Sequence, residues 1–191
     1  MNKNQKIWNK AKKTAKFQTK SKAISIALIK TNQKASRGIF WNSNEHFWET
    51  HFCQKSKEID CKEAIWALKS MGITSAILLV EQQTNKPIFF IDDHINLTEK
   101  NPLIGENIDE IGKRFPDQSA VYSKKWMAQL PEIERKTGCA GILPKTKKYI
   151  ELPPVFVFCA ILANHANMKT IGIVSSCKNK NLIQKIAEKC P

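Results

Sequence analysis

The sequence predicts an α/β fold, because one amphipathic helix is followed by a buried strand and then by a second strand. Across Cys61–Met71 apolar residues recur at helical spacing, and Gly72 provides a helix stop. The next run, Ser75–Val80, is an unbroken series of mainly β-branched and Leu residues, as in a strand covered on both faces. Ile88–Ile91 predicts another strand. This alternation favours helices packed on a β-sheet.

The remaining elements have weaker patterns. Ala23–Ile29 is a short apolar stretch that fits a strand, and Trp41–Phe52 is interpreted as an aromatic-rich loop. Val155–Asn164 is apolar. In the second half of the chain we predict a helix, two strands and a closing amphipathic helix, at residues 120–130, 138–143, 170–174 and 182–189.

The positive charge is concentrated at the amino terminus. The chain has 31 Lys and Arg against 17 Asp and Glu, but residues 1–44 carry eleven of the bases and no acid. Three interpretations remain open: a contact to polyanions, a matrix-targeting peptide, and a solvated, partly disordered tail. We therefore divide the chain into a basic extension, residues 1–44, and an α/β domain, residues 45–191.

Cysteine spacing and hydropathy exclude several classes of protein. The six cysteines form no C-x-x-C pair, which argues against a zinc site and a disulfide framework, and no metal site is expected. No apolar run approaches the roughly 18–20 residues that a membrane-spanning helix needs. We expect a soluble cytoplasmic protein without membrane contact, with mitochondrial or nuclear targeting through the basic segment as alternatives.

Residues 92–118 form a long polar segment rich in Asp, Asn, Pro and Gly, and a loop of this length inside a domain is usually functional or disordered. Its motifs are D-H-I-N-L (93–97), N-P-L (101–103), G-x-N-x-D-E (105–110) and R-F-P-D (114–117). In order and nearly in spacing they resemble the corresponding segment of the trimeric purine nucleoside phosphorylases. The A-N-H stretch at 163–165 and I-G-I at 171–173 also resemble that family. The resemblance covers roughly residues 45–180.

The resemblance implies a three-layer fold with a central mixed β-sheet flanked by helices, here incomplete, and it implies phosphorolysis. In that reaction orthophosphate attacks the anomeric carbon of a purine nucleoside and releases the base and pentose 1-phosphate. The substrates would be a purine nucleoside and phosphate, with no cofactor beyond orthophosphate as co-substrate, and the protein would be a homotrimer.

Five residues are placed in the substrate site by the resemblance alone. Tyr149-x-Glu151-x-Pro resembles the family element in which an aromatic ring stacks on the purine and a carboxylate accepts hydrogen bonds from its edge. Phe115 matches the aromatic that enters a neighbouring subunit's sugar site. His46-Phe-Trp48-Glu resembles the H-x-Y-E element, which assigns His46 to phosphate and Trp48 to the ribose.

Other family motifs are missing. The amino-terminal Gly-Ser-Gly phosphate loop has no counterpart, because the first glycine is Gly38. The Asn-Ala-Ala-Gly turn after the central strand is replaced by E-Q-Q-T at 81–84, and Lys178 stands where the family has the Asn that binds purine N7. We therefore predict impaired or lost phosphorolysis, with no confident catalytic residue. The alternative is a non-catalytic relative that binds nucleic acid or protein through residues 1–44.

Overall fold

The computed structural model describes most of the chain with gaps. The described residues are 1–18, 24–31, 36–42, 48–53, 58–81, 88–141 and 149–175, with 182, 185, 186, 188 and 189. Among these, the side chains are described for 1–13 and, except for Glu81, from Cys61 onwards.

In the described residues the centre of the fold is an eight-stranded mixed sheet with the strand order β3-β2-β1-β4-β8-β5-β6-β7. Its strands are β1 (Ile24–Thr31), β2 (Ser36–Asn42), β3 (Trp48–Cys53), β4 (Ser75–Glu81), β5 (Phe89–Leu97), β6 (Arg135–Gly141), β7 (Ile150–Glu151) and β8 (Lys169–Ser175). The pairs β1/β4, β4/β8, β5/β6 and β6/β7 are parallel, whereas β1/β2, β2/β3 and β5/β8 are antiparallel. This is the predicted α/β class with a central mixed sheet.

The described helices are α1 (Lys3–Gln18), α2 (Glu58–Ser70), the short α3 (Lys124–Met127) and α4 (Pro154–His165). Ten of the twelve residues of α4 are buried, because α4 lies against the sheet and also contacts α2. A helix that is apolar on every side needs such enclosure. None of the helices in the described ranges is long and apolar enough to cross a membrane.

Helix α1 is packed on α2. Ile7, Trp8 and Ala11 are buried, and the Trp8 ring meets the Trp66 ring edge to face with 6.5 Å between centroids. The division of the chain after residue 44 stays a prediction. The strands β1 and β2 precede that boundary and pair with β4 and β3, which follow it.

Several sequence predictions are confirmed. The strand predicted at 23–29 corresponds to β1, the helix at 61–71 to α2, the strand at 75–80 to β4 and the strand at 170–174 to β8. The strand predicted at 138–143 is present as β6 but begins three residues earlier. Residues 182, 185, 186 and 188 are helical, within the predicted closing helix.

Other predictions are wrong. The loop predicted at Trp41–Phe52 contains most of β3, an edge strand paired with β2. The strand predicted to end at Ile91 continues as β5 to Leu97, because parallel pairing with β6 supplies backbone hydrogen bonds to its polar residues. The helix predicted at 120–130 is limited to the four residues of α3. It begins after Ser123, whose side chain caps the helix by accepting a hydrogen bond from the Trp126 N–H.

Candidate functional site

The residues between β5 and α3, 98–123, contain no helix or strand, and short-range polar contacts hold their shape. Asn96 donates to the carbonyl of Lys100 at 2.8 Å and accepts from the Thr98 N–H at 3.1 Å. Asn101 and Asp117 each accept from the N–H two residues later, at 2.9 and 2.8 Å. The Asn and Asp residues that define the loop motifs therefore replace regular backbone hydrogen bonding.

The end of α4 anchors this loop. The amide of Asn107 donates to the Gly112 carbonyl at 3.0 Å, and its oxygen lies 3.2 Å from Nε2 of His165. The neighbouring Asn164 donates to the Asp117 carbonyl at 2.7 Å. Burial lowers the pKa of His165, hydrogen bonding to the backbone of Gly112 and Lys113 opposes this, and the positive charges of Lys62 and Lys69 add to the lowering.

A second contact joins the loop to the sheet. Nδ1 of His94 lies 3.0 Å from the Tyr122 hydroxyl, and the buried Tyr122 ring stacks on Phe156. Burial raises the pKa of Tyr122 well above its usual value, and the carboxylates of Asp93 and Asp92 add to this. Burial lowers the pKa of His94, although Asp93 opposes it. Both histidines of the recognised motifs thus join the loop to other elements of the fold.

A cleft of about 480 Å³ lies between the loop, α2 and the start of α1. Its walls include Lys62 and Trp66 of α2, Asn4 of α1, and His165. The Lys62 ammonium is buried and donates to Oδ1 of Asn4 at 3.1 Å and to the carbonyl of Ile104 at 3.0 Å. The loop side of the cleft includes Arg114, Phe115, Gln118 and Asn107.

The residues predicted for the substrate site are not brought together in the described part of the chain. Phe115 is 84% exposed at the edge of the cleft, with the Arg114 guanidinium 5.5 Å from its ring centre. Glu151 is exposed in β7, and Tyr149 is half-buried just before that strand. Trp48 begins β3, at the opposite edge of the sheet from β7.

His46 lies outside the described residues, and so do Lys178 and positions 82–84. The side chain of Trp48 is also outside the described part. The substrate assignments of these residues and of Tyr149, Glu151 and Phe115 therefore stay predictions.

Sequence reasoning missed Lys62, Trp66 and Gln118 as lining residues. The available signal was the spacing of Lys62 and Trp66, which stand one helical turn apart in a segment whose other residues are mostly apolar. Gln118 carries no such signal, because it stands in an irregular loop where no period relates it to Lys62 or Trp66.

Two curated purine nucleoside phosphorylases match the chain in sequence. Purine nucleoside phosphorylase 1 of Bacillus subtilis (strain 168) is 30% identical over 110 residues, covering 45% of this chain and 39% of that protein. Purine nucleoside phosphorylase 1 of Geobacillus stearothermophilus is 53% identical over 105 residues, covering 45% of this chain and 38% of that protein. The matched region of the chain thus spans about two-fifths of the length of these relatives.

The fold has a solved counterpart. A crystal structure of Schistosoma purine nucleoside phosphorylase in complex with hypoxanthine superposes with a TM-score of 0.67 and 15% identity, covering 96% of this chain and 97% of that one. No protein-family model matches the chain. Part of the sequence is similar to purine nucleoside phosphorylases, and the overall fold is similar to that of a purine nucleoside phosphorylase.

Proposed function

We propose that this chain is a divergent purine nucleoside phosphorylase whose phosphorolysis of purine nucleosides is impaired or lost. The observation that carries the proposal is the sequence match to two curated enzymes of that name. Purine nucleoside and orthophosphate are the substrates that this relationship suggests. The roles proposed are purine contact for Glu151 and Tyr149, ribose contact for Trp48 and phosphate contact for His46.

The impairment follows from the missing parts of the site. Phosphorolysis needs donors around the phosphate and a partner for the charge that builds on the departing purine, and removing one such donor typically slows an enzyme by about 10²- to 10³-fold. This chain lacks the glycine-rich phosphate loop and has Lys178 where the family has its purine-binding Asn.

The test is an assay of inosine and guanosine cleavage with and without phosphate, beside an active purine nucleoside phosphorylase. We expect phosphate-dependent release of base close to background. Robust turnover that disappears in Glu151→Gln would contradict the loss of activity and support Glu151 as a purine ligand. Binding of hypoxanthine by the wild type but not by Glu151→Gln would support a retained base site without catalysis.

Self-association is part of the same proposal. Phe115 is 84% and Ile104 is 69% exposed in the loop that the family resemblance places at a subunit contact. Large apolar side chains exposed together favour an interaction surface. Light scattering should give an oligomer for the wild type and a smaller species for Phe115→Ala, whereas Ala128→Ser, at an exposed position of the described surface, should behave like the wild type. A monomeric wild type would remove this part of the proposal.

A second candidate function, polyanion binding, is favoured by the surface of α1. Lys3, Lys6, Lys10 and Lys13 are exposed and recur at helical spacing, so they share one face of a helix whose other face is packed on α2. Lys10 pairs with Glu63 at 2.6 Å. Lys3, Lys6 and Lys13 form no ion pair with a described residue.

The slope of log K against log salt tests this second candidate, because each phosphate contact on duplex DNA contributes about 0.9 to it. Replacing Lys3, Lys6 and Lys13 by Gln should lower the slope by about 2.7 if each contacts one phosphate. The matched control replaces the exposed Lys100, Lys124 and Lys125 by Gln, which removes the same charge. Equal slopes for the two triple variants would indicate attraction by net charge alone and reject the α1 surface.

A further inference from the structure

The cleft between the loop and α2 is separate from the elements assigned to the purine. Neither Tyr149 nor Glu151 lines it, and β7 contributes no residue to its walls. It is formed by the first turn of α1, by Lys62 and Trp66 in the middle of α2, by residues within 101–118 and by His165. A volume of about 480 Å³ is within the usual range for a small-molecule site.

Buried polar atoms without partners surround this cleft. Nε1 of Trp66, both amide atoms of Gln118 and Nδ1 of His165 make no hydrogen bond to a described residue. Trp66 is 3% exposed, and His165 is 5% exposed. In native proteins most buried polar atoms have a hydrogen-bond partner. Several unpartnered atoms in one place therefore indicate that a bound molecule supplies their partners.

The other tryptophans with described side chains provide a comparison. The indole N–H of Trp8 donates to the Glu110 carboxylate at 3.1 Å, and that of Trp126 donates to the Ile186 carbonyl at 3.0 Å. Trp66 is equally buried but has no acceptor among the described residues. The missing acceptor is therefore specific to the cleft rather than general to buried indoles in this fold.

The lining favours a negatively charged ligand. Lys62 places its ammonium 5.9 Å from the centre of the Trp66 ring, and Arg114 lies on the loop side. The indole N–H and the Gln118 amide add donors, and donors next to a cation match an oxyanion. The acid in the wall, Glu106, accepts from the Asn2 side chain at the start of α1.

We propose that the cleft binds a small oxyanion, the phosphate or carboxylate group of a small metabolite, through Lys62, Trp66 and Gln118. The unpartnered atoms are sealed from solvent. Binding therefore requires the Arg114–Gln118 segment to move outward, and the ligand then supplies the acceptor that Trp66 lacks. The movement must break the hydrogen bond from Asn164 to the Asp117 carbonyl, whereas Phe115, at the centre of the segment, is exposed in the single chain and adds little apolar burial against it.

The experiment follows the indole N–H signals in spectra of protein labelled with ¹⁵N-tryptophan. Trp66→Phe identifies the Trp66 signal, and triple-resonance spectra of the wild type identify it if that variant does not fold. Sodium phosphate, sodium acetate and neutral ribose are titrated separately. We expect phosphate or acetate to shift the Trp66 proton downfield, while the Trp8 and Trp126 signals stay in place and ribose has no effect.

The two oxyanions separate the two sources of the ligand group: a response to phosphate alone indicates a phosphate ester, and a response to acetate indicates a carboxylate. Gln118→Leu should weaken the affinity read from Trp66 about tenfold, as expected for loss of one hydrogen bond to a charged group. Gln129→Leu, which changes an exposed glutamine, should leave it unaltered.

A Trp66 signal that ignores both oxyanions, or that moves equally with ribose, would overturn the proposal. Phosphate bound at a nucleoside site near β7 would leave the Trp66 signal unchanged. The outcome is therefore independent of whether the protein cleaves nucleosides.

Discussion

The sheet beneath α4 and the loop from Thr98 to Ser123 are stabilised in opposite ways. Almost all the described side chains of β4 and β8 are buried, and the backbone N–H and C=O groups of the two strands pair with each other. The loop has no such pairing and depends on side chains such as Asn107 and on the end of α4. The core thus derives its stability from apolar burial, whereas the loop derives its shape from a few polar contacts and keeps some polar groups unpaired.

The largest expected effect is in the sheet. Leu78 lies fully buried in the central strand β4, so Leu78→Ala should lower the free energy of unfolding by about 2–5 kcal/mol. The matched loop change, Ile104→Ala, removes a side chain that is mostly exposed in the single chain and should alter the stability of the unassociated chain by less than about 0.5 kcal/mol. Urea denaturation measures both. Similar losses would mean that the loop carries as much burial as the core.

The docking of the loop on α4 is tested by Gly112→Ala. A Cβ at Gly112 would lie 1.8 Å from the backbone oxygen of His165, so the loop must lift from the helix. We expect a cost of about 1–3 kcal/mol, as for other overpacked sites, and faster hydrogen exchange of loop amides. Gly72→Ala is the control, because Gly72 has a φ of +81° but open space around it. It should destabilise the turn after α2 without loosening the loop.

Acidification should weaken the contacts made by both histidines. Burial lowers the pKa of His94 and of His165 below 6.5, so the unfolded chain binds protons more readily than the folded one. Stability should therefore be constant above about pH 7.5 and fall as the pH drops through 6.5 towards the folded-state pKa values. Urea midpoints across this range measure the effect. In a double variant, His94→Gln with His165→Gln, the urea midpoint should depend less on pH. An unchanged dependence would mean that other groups cause the loss of stability.

The smallest effect is expected at Gln118. Its amide is buried without a described partner, so Gln118→Leu removes an unpaired polar group and should leave stability unchanged or raise it by up to about 1 kcal/mol. Thermal denaturation measures this change against Gln129→Leu, which should be neutral. A clear loss of stability would mean that the Gln118 amide has a structural partner. The contrast between a loop with unpaired polar groups and a fully paired core would then be smaller.

The sequence alone determined the elements that have continuous or periodic apolar patterns. α2, β4 and β8 were predicted from such patterns, since a buried element must be apolar wherever it meets its neighbours. The loop motifs also indicated the resemblance to purine nucleoside phosphorylases, because several polar motifs that match a family in the same order are improbable by chance. His94 and His165, which stand in two of the matching motifs, contact Tyr122 and Asn107.

The tertiary structure decided what depends on distant partners. β3 mixes aromatic and polar residues without a strand pattern and is a strand because β2 pairs with it, and β5 extends to Leu97 because β6 lies beside it. The cleft is the clearest case: Lys62 is buried by Asn4 and by the carbonyl of Ile104, which lie 58 and 42 residues away along the chain. Local sequence records what a residue prefers, but burial and hydrogen-bond partners are set by segments brought together only when the chain folds.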